Sequence, residues 1–212
     1  MTRKYEITGI RHPMNLTLFR IRALLDIPRF GVKAGDLGGY IQNESNLSHE
    51  GDCWVGDDAR IAGNARVFGE ARVFGEARVC GNAQVYGEAT VFGNAQVYGN
   101  AQVYGRAQVS DYVRVFGNAH IYDNANVSAH AHIYDNAKVC ENAHVHSDAW
   151  ILVDATINEH MDISETAVIK SSDQIYYADG ITAYFDVNHV LQVNGTSLDI
   201  EYHEFLARLK LS

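Results

Sequence analysis

Valine or isoleucine returns every six residues from Val55 to Ile169, twenty positions without one insertion. Two residues before each stands alanine, except at Cys53, Val113 and Met161. The unit is Ala-x-Val-x-Gly/Asp-Asn/Glu, as in "AQVYGN" at residues 95–100. Side chains alternate along a strand, so the valine and its alanine share one face. The Gly/Asp-Asn/Glu pair is turn chemistry, because Gly and Asn tolerate left-handed backbone. Each unit is therefore a very short strand followed by a corner. Three equal sides make one coil, and the aliphatic residues stack inside as ladders.

Twenty hexads make somewhat under seven coils, a prism of order 30 Å long at about 4.8 Å per coil. Residues eighteen apart then lie above one another. One corner reads Asn64, Asn82, Asn100, Asn118, Asn136 and Asp154, a row whose amides can bond from coil to coil. Nothing in the hexad demands that one corner stay asparagine, so the row supports the period of eighteen independently. A second corner reads Glu70, Glu88, Arg106, Asn124, Asn142 and sets two acids beside an arginine.

The flanks leave this pattern. A solenoid has two open ends that need covering. Residues 1–40 read as a small N-terminal β cap, with strands "KYEIT" and "LTLFRIRAL" and a loop around Pro28. Ile41 and Leu47 already fall six apart, so the repeat is expected over 41–169, with two extra residues before Cys53 breaking the register. Residues 170–212 read as an α+β cap. It has strands in "QIYYA", "ITAYFDV" and "VLQV", a turn at Asn194-Gly195, and a helix from about Leu198 carrying Ile200, Phe205, Leu206 and Leu209.

The repeat resembles the hexapeptide-repeat left-handed parallel β-helix, an all-β fold with three hexads per coil. In that family glycine usually follows the aliphatic residue directly, whereas in "VFGNAQ" (91–96) it comes one place later. A right-handed or irregular solenoid is the alternative. The "RIRAL…VKAGDLGGYI" start, within residues 16–55, and more loosely the "EF" near the C-terminus resemble end segments of a bacterial and phage group of hexapeptide-repeat proteins.

The chain has 212 residues, is 47% hydrophobic and 20% charged, and carries a formal net charge of -9. That suits an ordered protein and disfavours an extended nucleic-acid partner, whose phosphates need clustered Lys and Arg. Cys53, Cys80 and Cys140 form neither a disulfide framework nor a CxxC pair, so a reduced, cytoplasmic protein is expected. No apolar run approaches a membrane span.

Likeness to hexapeptide acyltransferases implies a coenzyme A thioester as cofactor and a histidine general base at a subunit interface. His120 and His132 are the residues for that alternative reading. The run 53–169 lacks the loop excursion that walls such sites, which argues for no catalysis and no cofactor. The γ-class carbonic anhydrases, similar in fold, imply zinc on histidines. Yet His120, His132 and His144 are twelve apart and project from different faces, so no metal is expected.

The residue after each valine points outward. One stripe carries Phe68, Tyr86, Tyr104 and Tyr122; another carries Tyr98, Phe116 and Tyr134 and continues to Leu152; a third has only Phe74 and Phe92 before Ser110 and Ser128. Arg66, Gln84, Gln102 and His120 flank the first stripe, and Arg78, Gln96, Arg114 and His132 flank the second. Strand propensity and ladder packing account for some outward aromatics. Two contiguous stripes with arginine beside them point to an interface. The expectation is a non-catalytic scaffold that self-associates as a dimer or trimer through these stripes. It would also bind a protein or a small nucleotide-like molecule, with no membrane partner.

Overall fold

The computed structural model describes residues 2–164 and 166–170, together with the strands that lie between residues 175 and 198. The chain is an all-β parallel solenoid. Strands β1 (Tyr5–His12) and β2 (Asn15–Ala23) form an antiparallel hairpin, and β3 (Leu37–Ile41) follows a 3-10 turn at Pro28–Phe30. Twenty two-residue strands, β4 (Trp54–Val55) to β23 (Val168–Ile169), then recur every six residues. Each pairs in parallel with the strand one coil away, so that Val91 faces both Val73 and Val109.

Three sheets result. Face one contains Ile61, Val79, Val97, Val115, Ile133, Ile151 and Ile169, and the hairpin and β3 extend it to ten strands. Face two has six strands, from Arg66–Val67 to Thr156–Ile157, and face three has seven, from Trp54–Val55 to Asp162–Ile163. Val and Ile from all three faces are fully buried, and so are the alanines that precede them. Cys53 and Val113 take alanine positions and are also fully buried. The small residue beside each corner lets the three walls close on one another, while β-branched side chains fill the axis. Each fully buried valine contributes about 1.5–3 kcal/mol of transfer free energy.

The two-residue register break appears as expected. Ile41 pairs with Ile61 and Leu47 bridges to Val67, both twenty residues apart rather than eighteen. The asparagine corner is a continuous ladder. Asn64 donates to Asn82 at 3.1 Å, Asn82 to Asn100 at 2.9 Å, Asn100 to Asn118 at 3.0 Å, Asn118 to Asn136 at 3.1 Å and Asn136 to Asp154 at 3.1 Å.

Corner chemistry changes along the solenoid. The edge after face two runs Gly69, Gly87, Gly105 and then Asp123, Glu141, Glu159, all at positive φ. A Cβ on Gly105 would lie 2.7 Å from the Asp123 nitrogen, so glycine is required there. Farther along, carboxylates offset the strain by accepting the corner N–H of the next coil. Asp123 accepts from Glu141 at 3.3 Å, and Glu141 accepts from Glu159 at 2.8 Å.

The C-terminal strands β24 (Ile175–Ala178), β25 (Ile181–Phe185), β26 (Leu191–Val193) and β27 (Thr196–Leu198) form a separate antiparallel sheet. Leu198, expected to open a helix, ends a strand instead. The rest of that expected helix and the Asn194-Gly195 turn lie outside the described residues. No helix among the described residues is long and apolar enough to cross a membrane.

Candidate functional site

The aromatic residues follow directly from the hexad, since each sits after a buried valine and before a corner. On face two they form a regular ring ladder. Phe68 and Tyr86 stack at 4.8 Å and 4°, Tyr86 and Tyr104 at 4.9 Å and 3°, and Tyr104 and Tyr122 at 5.0 Å and 5°. The spacing is that of parallel strands, so identical backbone positions bring the rings into contact. All four rings are half-buried. Tyr86 donates its hydroxyl hydrogen to Gln102 at 3.1 Å. A hydrogen bond with Cys140, together with burial, raises the Tyr122 hydroxyl well above the ordinary tyrosine range.

Face one is less regular. Tyr98 and Phe116 lie at 5.0 Å but tilted by 47°, and Phe116 and Tyr134 lie at 5.3 Å and 14°. Burial, the largest cause, raises the Tyr98 hydroxyl, with Cys80 and Arg78 beside it. Beyond Tyr134 the stripe widens. His132 stacks on Trp150 at 4.4 Å and bonds through Nδ1 to the Tyr134 hydroxyl at 2.9 Å. Trp150 is 41% exposed. Arg114 pairs with His132 across the strands, and Arg78 and Arg114 are both exposed. Trp150 was not among the residues singled out by sequence, although eighteen residues from His132 lead straight to it.

The third stripe is met by the chain's own N-terminal segment. The Arg72 guanidinium lies 5.3 Å from the Phe30 ring and 4.4 Å from Phe74. Phe74 stacks on Phe92 at 5.1 Å. Arg29, beside Phe30, reaches Glu70 at 3.1 Å and Glu88 at 2.9 Å. The paired acids of the second corner therefore serve to hold this loop down, and Arg106 approaches Glu88 at 3.7 Å.

His120 and His132 do not come together. His120 projects from face two, edge-on to Tyr104 at 6.2 Å, and His132 projects from face one. Burial first, then Lys138, lowers the His120 pKa; burial first, then Arg114, lowers that of His132. Both shifts favour the neutral imidazole. On face three, His146 bonds to Ser147 Oγ at 3.1 Å through Nδ1 and to Asp162 at 2.9 Å through Nε2. The spacing of the hexad hides this trio, which joins a corner residue to a strand residue one coil on. Its histidine and aspartate side chains are 41% and 46% exposed, so water reaches the network. Among the described residues, no three His, Cys, Asp or Glu side chains gather as a metal site. Arg66 lies over Phe68 at 5.2 Å, at the N-terminal end of the face-two ladder.

Two overlapping stretches of the solenoid, residues 83–99 and 95–111, match a family model described as YdcK beta solenoid repeat. They span the middle coils, where the glycine corners and both tyrosine stripes run together. No curated protein matches the chain.

Proposed function

We propose that the protein is a non-catalytic, rigid β-helix scaffold that self-associates, with face one as its main contact surface. The observation that carries this reading is the cluster of Trp150, His132 and Tyr134 beside Arg114. Trp, Tyr and Arg are the residues that most often dominate binding energy at protein interfaces. Trp150 is large, exposed and held in one orientation by the ring beneath it, so little conformational freedom is lost when it is covered. A stiff prism presents this cluster at a set angle, which favours a closed dimer or trimer.

Light scattering tests it. The wild-type chain is expected to give the mass of a dimer or trimer, and Trp150→Ala is expected to give a monomer. A monomeric wild type at micromolar concentration would refute self-association.

A further inference from the structure

The face-two ladder has an open end. Each ring from Tyr86 to Tyr104 has another ring on both sides, but Phe68 has a ring on one side only, with the Arg66 guanidinium 5.2 Å from its centroid. The two-residue register break explains the gap. Leu47 bridges to Val67, and the Ser48 N–H donates to the Val67 carbonyl at 2.9 Å. Ser48 thus takes the row position above Phe68, where the ladder would otherwise place an aromatic. Its hydroxyl is turned to the backbone, accepting from the Glu50 N–H at 3.0 Å. The space left is a cavity of about 330 Å³ lined by Phe68, Arg66, Ser48, His49, Glu44 and Glu50, among others. Small-molecule sites begin at about 300 Å³.

The rim is rigid and chemically two-sided. His49 stacks on Tyr5 at 4.3 Å, and its Nε2 meets Glu44 at 3.0 Å. Glu44 also holds Arg3 at 3.1 Å. The hydrogen bond to His49 holds the Glu44 carboxyl below its ordinary range. On the other side the exposed Arg66 offers N–H donors over the Phe68 ring. Carboxylates accept hydrogen bonds and the guanidinium donates them, so the ligand that fits is flat and carries both N–H and C=O groups on its edge.

We infer that this cavity binds a nucleobase, stacked on Phe68 as an added rung, with the exposed Arg66 swung from over the ring to the base's carbonyl side and Glu50 on its N–H side. The base arrives as a nucleoside rather than a nucleotide, because Arg3 offsets Glu44 and Glu50 offsets Arg66, which leaves no surplus positive charge for a phosphate. The site is independent of the face-one contact.

Calorimetry on the full chain with guanosine, uridine and guanosine monophosphate tests it. Guanosine or uridine binds one equivalent per chain, and the monophosphate binds more weakly. Phe68→Ala lowers affinity by roughly tenfold to a hundredfold, the usual weight of one base–ring stack. Ser48→Phe fills the empty rung; it abolishes binding while leaving the chain folded by circular dichroism. Trp150→Ala leaves binding unchanged whatever it does to the mass. No saturable binding of either nucleoside at millimolar concentration overturns the proposal, as does undiminished binding by folded Ser48→Phe. Tighter binding of the monophosphate than of guanosine overturns the nucleoside assignment.

Discussion

Faces one and two carry aromatic rows built from the same hexad, yet the rows differ in what their rings are free to do. On face two the four rings lie within 3–5° of parallel and cover one another. On face one the first pair is tilted by 47°, and the row ends in an exposed tryptophan braced by His132. The difference arises from neighbours. Glutamines flank the middle of the face-two ladder, whereas Arg114, His132 and Trp150 stand beside the later rings of face one. A regular ladder stabilises its own coils, while an irregular, cationic and wider row has surface left over for another molecule.

The strongest break in this comparison comes from replacing one row at a time. Trp150→Ala with Tyr134→Ser is expected to turn the oligomer into a monomer by light scattering, since loss of an interface hot spot costs about 2 kcal/mol or more. Tyr86→Ser with Tyr104→Ser should leave the mass unchanged. That second pair should instead lower stability in urea unfolding by about 2–4 kcal/mol, because three stacked ring contacts of about 0.5–1.5 kcal/mol each are lost. If the face-two pair dissociates the oligomer and the face-one pair does not, the assignment of roles is reversed.

A smaller effect comes from moving one rung. Gly105 follows Tyr104 at φ +68, and Gly105→Ala should cost about 1–2 kcal/mol through left-handed strain, more if the nearby Asp123 backbone cannot shift. Asp123→Gly relieves strain but loses the bond to Glu141, so its effect on the unfolding midpoint should be close to zero.

The smallest effect is acid sensitivity. His120 on face two and His132 on face one both have folded pKa values below the ordinary 6.5. Below that value the unfolded chain binds more protons than the folded one, so stability is complete above it and declines as pH falls toward the folded pKa. His120→Asn should flatten this decline in unfolding experiments without touching the mass. His132→Asn should flatten it too, and should also weaken acid-induced dissociation, because an interface over face one would desolvate His132 further.

Much of the molecule was legible as text. The buried Val, Ile and Ala, the three faces, the asparagine ladder and the members of both stripes follow from counting by six and eighteen. Glu70 and Glu88 were legible as neighbours, but not as the anchor for Arg29, which is 41 and 59 residues away. Trp150 lies one step of eighteen beyond His132 in the row before each valine, so the period reaches it too, but its exposure and its stacking on His132 are visible only in the fold. The His146, Ser147 and Asp162 contacts were missed for a different reason, since they run between a strand and a corner and follow neither period.

What the sequence by itself determined, then, is everything that depends on repetition. In a solenoid each coil rests on the one before it, so a neighbour in space is a fixed step along the chain. Tertiary structure alone decided what happens where that step fails. The Phe30 and Arg29 contacts and the rung above Phe68 that lacks a ring come from segments that meet without a fixed spacing. Their geometry depends on how the N-terminal hairpin, the 44–53 segment and the coils pack together, and no period along the chain encodes that.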